Sequence, residues 1–522
     1  MALPPAPGTG PDVETLSGNQ LPFLLADHPG TGSQVFFQWQ TTGHSFMIRL
    51  TLLWMLIAWL STIAWKDWYK GACGLIALMA ILEHPDMPRG ILDIPGLNPW
   101  NILLIITVSS WLLHKKREDL LWDMPRGINN LLLFQLVLFT VGFLRILFDN
   151  AGLEEIQILR SYGRYFPSGA ALWNDYFINT LKWVVPGLLL FHGCNSRSRL
   201  IMALISLLAM YLVLSLMVYK AIPPWKIIDA DSLTKYALKL DNRVGYHRVD
   251  LSAMLAGASW AFFSVIILAR QGWQRIGLLM AGGMIILGQA LTGGRSGYMA
   301  WCLIGLFFGL FRWRKLIIAL PLAILLLLTF MPQIKDRVLV GFNSTEDAGY
   351  SESDNNVDIN TVTAGRDGIW RLTLEKFRDA PFIGFGRQAV VRKGVIREAI
   401  EELGEPFGHP HSAYIEQLID NGIIGLIIIL LFYLLVFQKA VILLRDKNNP
   451  LYVAVGSIAF ALILAQLITS LTAQSFYPRQ GVVGMWCAIG LMLRVYVERE
   501  KAKQTGKSIM NWGKNELSGV NQ

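Results

Sequence analysis

The sequence predicts an all-α, polytopic membrane protein of about 12–13 transmembrane helices, with one large, partly helical loop outside the bilayer. Three observations predict it. Of the 522 residues 53% are hydrophobic and only 16% charged, with a mean hydropathy of +0.43, whereas a soluble domain carries nearer a quarter charged residues. Apolar runs of roughly 15–24 residues recur along the chain, each long enough to cross or nearly cross a bilayer. The connecting loops alternate in charge. Lys66/Lys70, Lys115/Lys116/Arg117, Arg197/Arg199, Arg270/Arg275, Arg312/Arg314/Lys315, Arg445/Lys447 and the tail Arg494–Lys503 fall on one side, which the positive-inside rule makes the cytoplasm. That rule also accounts for the net charge of +9, so the basic balance does not point to nucleic acid.

The elements follow in order. Residues 1–45 form a polar tail without Lys or Arg. It has neither a basic n-region nor an apolar h-region, so no cleavable signal is expected, and an N-terminus outside is. Residues 46–331 hold about ten spans: 46–65, 71–84, 99–114, 127–148, 172–192, 198–220, 251–269, 274–292, 296–311 and 313–331. The second is short enough to be a half-helix; if it is re-entrant the total is twelve and the N-terminus flips. An outside loop lies at 221–250 and a much larger one at 332–420. Further spans at 421–444, 451–472 and 480–497 precede a cytoplasmic tail, 498–522. All four cysteines, Cys73, Cys194, Cys302 and Cys487, sit in or at the ends of apolar runs. Neither a disulfide framework nor a cysteine metal site is expected. The pentapeptide DMPRG occurs at 86–90 and 123–127, on opposite membrane faces, and reads as chance.

The large loop begins with a polar stretch, 343–361, and continues with a helical pattern over 364–379. Arg366, Trp370, Leu374 and Phe377 share one face of that pattern, which predicts a helix lying on the outer membrane surface with its apolar face down. DAPFIGFG (379–386) turns the chain, with Pro381, Gly384 and Gly386 as breakers. A second amphipathic segment, 387–403, leads to GHPHSAY, where His409 and His411 flank Pro410.

An enzyme working outside the cell has no nucleotide sugar. It needs a substrate activated in advance, such as a glycan on a membrane-borne polyprenyl diphosphate. Such chemistry needs cations for the diphosphate and a base for the acceptor hydroxyl. Arg295 sits in the tight outside turn LTGGRSG, whose glycines allow close backbone approach to a ligand. Arg366 heads a helix, so its charge and the helix N-terminus attract an anion together. Planar, permanently charged guanidiniums suit phosphate oxygens. The bland alternative is that both arginines merely anchor at the interface. His411 falls at the start of the helix entering the 421–444 span, where the N-terminus keeps its ring neutral and able to take a proton. A lone interfacial histidine is more often polar trim. A metal held by His409, His411 and Glu405 is the weaker reading, since no further ligand cluster stands out. Within apolar runs lie Arg49, Arg145, Asp175 and Lys182, charges that by default mark a site or a buried pair. Lys182 and Asp175 are two turns apart on one face, so mutual neutralisation is the plain explanation. Arg248 in the 221–250 loop, and Tyr477 and Arg479 in the last outside loop, complete the candidate substrate-binding residues. DAD (229–231) has the form used by metal-dependent sugar-nucleotide transferases, but without nucleotide outside it carries little weight.

LTGGRSGYMAW, GRDGIWRLTLEKFRDAPFIGFG and GHPHSAYIEQLIDNGIIGL occur in the order and rough spacing of the O-antigen ligase and O-antigen polymerase superfamily, which the chain resembles over about residues 285–435. The resemblance implies a GT-C-like, metal-independent, inverting glycosyltransferase without cofactor in the bacterial inner membrane, its active site facing the periplasm. Its donor would be an undecaprenyl-diphosphate-linked glycan. Its acceptor would be a lipid-linked repeat in a polymerase of surface or secreted polysaccharide, or lipid A-core in a ligase, with other polysaccharide-assembly proteins as further partners. Arg295 and Arg366 match the family's diphosphate-binding arginines, with Arg371 beside them. The His-x-His-Ser segment matches a motif commonly His-x-His-Asn, whose histidine is the proposed base; Ser412 replaces that Asn. His411 is favoured over His409. From another class, a transporter of polysaccharide or lipid-linked glycan also explains many spans and intramembrane charges. It predicts polar residues running through to the cytoplasmic side, and here they concentrate outside.

Overall fold

The computed structural model describes residues 32–88, 90–91, 94–118, 120–161, 170–222, 235–330, 366–404, 407–474 and 476–505. The stretches 229–231 and 343–361, Glu405 and most of both tails lie outside the described residues. The chain divides into two units, 1–52 and 53–522, and the site discussed below lies in the second.

The described chain is helical, apart from a short antiparallel ladder that pairs Gly90 with Pro95 and Ile91 with Ile94. Among the described residues eight helices are long and apolar enough to cross a membrane, from Met47–Lys66 to Gln480–Gln504. Pro99–His114 and Arg295–Phe311 are shorter apolar helices. The chain is a multi-pass membrane protein. Arg248–Val265, Pro450–Thr469 and the apolar part of Val483–Thr505 are the most enclosed elements. Met55, Trp59, Leu133 and Phe134 are among the large apolar side chains left on the outer surface, as a lipid-facing bundle requires.

One expected span is the half-helix that its length allowed, and another is not a continuous helix. The run 71–84 yields the helix Trp68–Leu78, 11 residues capped by Asp67, whose carboxylate accepts from Tyr69 N. At about 1.5 Å per residue it reaches only halfway across a bilayer. The run 172–192 breaks into Ala170–Trp173, a π-turn Asn174–Ile178, Asn179–Lys182 and Val185–Gly193. Pro186 explains the last break. Its ring cannot follow Lys182 in a continuous helix, whereas in the first turn of a new one its missing N–H costs nothing.

The large loop carries a small core of its own. Ile369 and Leu372 of the helix Arg366–Phe377 pack with Ala389, Val390, Val395, Ala399 and Ile419. The inward stripe is thus Ile369, Leu372 and Thr373, while Leu374 is 39% exposed. Of the stripe expected to face the membrane, Trp370 is partly buried against this core, while Leu374 lies on the outside. The helix Val395–Leu403 offers a protein partner, and burial against it selects the face.

The helix Ala413–Leu444 breaks at Gly422 (φ 67°, ψ −172°). A Cβ there would lie 2.2 Å from the Phe382 carbonyl oxygen, so only glycine fits. The DAPFIGFG turn fills the break. Ile423 N donates to Pro381 O (2.8 Å), Ile424 N to Phe382 O (3.2 Å), Phe385 N to Ile419 O (2.9 Å) and Gly386 N to Asp420 O (2.7 Å). Backbone groups freed by the kink are therefore paired, which a helix broken beside lipid demands. The residues before Gly422 pack with the loop, and the apolar remainder enters the bundle.

Candidate functional site

Three arginines stand at the near ends of three helices. Arg248 begins Arg248–Val265, Arg295 begins Arg295–Phe311 and Arg366 is the first described residue of Arg366–Phe377. A fourth helix, Ala413–Leu444, starts immediately after His411 and Ser412. Each N-terminus leaves amide donors without intrahelical partners and a partial positive charge. These ends meet: burial holds the Arg366 guanidinium below its usual pKa, and the charges of Arg295 and Arg248 lower it further. Arg366 Nη1 also donates to Thr472 O at 3.4 Å.

Small residues bring the 248 and 295 helices together. Ser252 Oγ donates to Gly294 O (3.2 Å), and a Cβ on Gly297 would sit 2.0 Å from that same hydroxyl oxygen. Gly293 closes the preceding helix at φ 64°. The glycines were expected to admit a ligand to the backbone. What Gly294 and Gly297 admit is the neighbouring helix, and the close approach sets Arg248 beside Arg295.

The histidines sit at the edge of this cationic cluster. Their ring centroids are 4.0 Å apart. His411 N donates to His409 Nδ1 at 3.2 Å, so in neutral His409 the proton resides on Nε2. His411 has φ 51°, a left-handed conformation uncommon for a non-glycine residue and one that clusters at functional sites. Trp370 Nε1 holds the loop by donating to Pro410 O at 2.6 Å, and Ala413 N donates to Ser470 O at 2.8 Å. Burial pushes the His411 pKa down to about 4, aided by Arg366 and His247. His409 falls to about 3, through burial and then His411, Arg479, Arg366 and His247. Both imidazoles are neutral at physiological pH.

Other sequence candidates are engaged elsewhere. Arg145 Nη1 donates to Ile383 O (3.0 Å) and Gly384 O (2.9 Å), so it clamps the turn that fills the helix break. Arg371 is half-exposed and pairs with Glu402 and Glu375. Lys182 donates to Asn101 Oδ1 (3.2 Å) and lies 4.2 Å from the Trp183 ring centroid. Arg479 bonds Asp250 at 2.6 Å, tying the last outside loop to the 248 helix. Tyr477 is buried; its hydroxyl donates to Asp420 Oδ2 and accepts from Asn421 Nδ2, both at 2.9 Å.

Beyond His409 lies a cavity of about 390 Å³, lined by Arg387, Glu416, Gln474, Tyr477, Arg479 and Tyr176 among others. None of Arg248, Arg295, Arg366 or His411 lines it. Arg387 stacks on Tyr477, 3.7 Å from its ring centroid. Arg387, Glu416 and His247 escaped the sequence reading. Glu416, Gln417, Asp420 and Asn421 recur at helical spacing just before an apolar run, and that was the available signal for Glu416. Among the described residues no group of three His, Cys, Asp or Glu could hold a metal ion.

Comparison with known proteins adds one finding. Residues 280–430 match the family model described as O-Antigen ligase. No curated protein matches the chain. The matched stretch contains Arg295, Arg366, Arg371, Arg387, both histidines of the HPHS segment and Glu416; Arg248, Tyr477 and Arg479 lie outside it.

Proposed function

We propose that the chain, whose residues 280–430 match the family model described as O-Antigen ligase, is a metal-independent, inverting membrane glycosyltransferase with ligase- or polymerase-type activity in surface-polysaccharide assembly. It moves a glycan from undecaprenyl diphosphate onto a sugar hydroxyl at the periplasmic face of the inner membrane, extending a surface polysaccharide. The observation that carries this reading is the meeting of Arg248, Arg295 and Arg366, each at a helix start, beside a neutral His411.

The diphosphate sits among the three guanidiniums and the helix ends. His411 takes the proton of the acceptor hydroxyl. The oxygen forms its bond to the anomeric carbon from the face opposite the diphosphate, and the carbon–oxygen bond to the diphosphate breaks. Its electron pair leaves with the carrier, where the arginines stabilise the growing charge. His411 is favoured over His409 because the Nδ1 lone pair of His409 already accepts from His411 N. A pKa of about 4 belongs to the unliganded site. A bound diphosphate offsets the Arg366 charge that helps to depress it, so the donor itself makes His411 a stronger base.

The test is transfer by purified protein supplied with a defined polyprenyl-diphosphate oligosaccharide as donor, with the same oligosaccharide lipid and lipid A-core both offered as acceptors, chelator present. His411→Ala is expected to abolish transfer. Arg366→Lys should impair it severely, because an ammonium cannot make two-pronged contact. Near-normal turnover in either variant removes that residue from the mechanism. Lengthening of lipid-linked repeats marks a polymerase; transfer only to lipid A-core marks a ligase.

A further inference from the structure

The cavity beyond His409 holds two ionisable side chains that the scheme above does not use. Arg387 is 9% exposed and Glu416 6%. Among the described residues Arg387 Nε and Nη1 and Glu416 Oε2 have no hydrogen-bond partner. The other carboxylate oxygen of Glu416 accepts from Gln474 Nε2 at 3.0 Å. Leaving such groups unsatisfied is costly. The two are not paired with each other either: Arg387 is held over the Tyr477 ring and lies 5.3 Å from the Tyr176 ring centroid.

We propose that this cavity is the acceptor-sugar subsite, in which neighbouring hydroxyls of one pyranose bridge Arg387 and Glu416 while the ring's apolar face lies against an aromatic side chain of the wall. The inference rests on the glycosyl-transfer reading given above.

The chemistry selects a carbohydrate. A hydroxyl both donates and accepts, so a pair of them satisfies an arginine and a carboxylate at once. A diphosphate carries acceptors only, so it would complement Arg387 and offer no donor to the unpartnered Glu416 carboxyl oxygen. A polyprenyl chain would bury both charges unpaired. Tyr176 and Trp183 supply the apolar wall, and Asn179, Gln474 and Gln480 supply further polar atoms. At about 390 Å³ the cavity lies in the range of small-molecule sites, roughly 300 to 1,000 Å³. His409 lines it and packs against His411. A sugar held there lies next to the base, while the donor's diphosphate occupies the arginine cluster at the other histidine. The two substrates thus have separate recognition surfaces that share only the histidine loop.

The experiment measures two ligands separately on the full chain in detergent. One is the lipid-free oligosaccharide released by mild acid from the lipid-linked pool of the producing cells; the other is undecaprenyl diphosphate. Glu416→Gln and Arg387→Lys are each expected to weaken oligosaccharide binding by about 10- to 100-fold and leave undecaprenyl diphosphate affinity unchanged. Gln480→Ala, at the cavity wall and without a core role, is expected to weaken the oligosaccharide alone by a smaller factor, and it guards against misfolding of the buried variants. Retained diphosphate binding shows that each variant is folded. Oligosaccharide affinity unchanged in all three variants overturns the subsite. So does parallel loss of both ligands in Gln480→Ala. Failure of the transfer reading is read independently, as a wild-type protein that binds both ligands and joins nothing.

Discussion

His411 combines two demands, a left-handed backbone and a titratable ring, and they can be separated by mutation. Asparagine tolerates positive φ better than most residues, so His411→Asn should keep the loop in place while removing the base. We expect transfer to fall by about 10²- to 10⁴-fold with an unchanged melting temperature; an active Asn variant would assign the base elsewhere. The pH profile follows from the same residue. A base works deprotonated, so activity is lost as pH falls through its pKa. In the free enzyme that value is about 4, so kcat/KM for the donor should stay flat from about pH 8 to 5 as far as the enzyme's groups are concerned. In the donor complex the opposing charge raises it, and the acid limb of kcat should appear at higher pH. Coincident limbs would deny that the diphosphate neighbours His411. Arg295, Arg366 and His411 were legible in the sequence because each follows punctuation: a glycine turn, the end of a polar run, a proline between histidines. Arg387 and Glu416 were not, since their shared cavity arises from residues 29 positions apart packed with a loop near 477.

At the scale of elements, two joints hold the site. The first is the contact of Gly297 with Ser252. Gly297→Ala adds a methyl where the Ser252 hydroxyl already lies, and such overpacking typically costs about 1–3 kcal/mol. The expected result is a lower melting temperature together with weaker undecaprenyl diphosphate binding, because Arg248 and Arg295 are pushed apart. Unaltered diphosphate affinity would show that their spacing is unimportant. The second joint is the broken helix at Gly422, stitched by the 381–386 turn and clamped by Arg145. Arg145→Met should lower stability by about 1.5–3 kcal/mol, read by thermal unfolding in detergent, and leave diphosphate affinity intact. Sequence pattern located the turn through its proline and glycines and the helix through its apolar run. It missed that one mends the other, because backbone pairing between distant segments leaves no periodic trace. It also gave no sign that Ile369 and Leu372 of the 366–377 helix would be covered by Val395–Leu403, because only the tertiary contact reveals that partner.

For the whole molecule, the proposed chemistry has arginines and helix ends take the place that a divalent cation fills in other diphosphate chemistry. Transfer should therefore proceed at an unchanged rate in excess chelator; restoration by added Mg²⁺ after inhibition would contradict this. The polytopic helical class was legible from composition alone, because lipid as solvent forces apolar helices on any chain of this hydropathy. The short Trp68–Leu78 helix was legible in the length of its run, whereas the interruption at Pro186 was harder to see, since apolar composition continues through it. The convergence of helix starts on one point has a consequence for turnover. On the proposed chemistry the departing carrier bears one more negative charge than the glycan-loaded donor it came from. A pocket built from fixed positive ends must grip the spent lipid harder than the fresh one, so repeat addition advances only as fast as used carrier is cleared from the membrane.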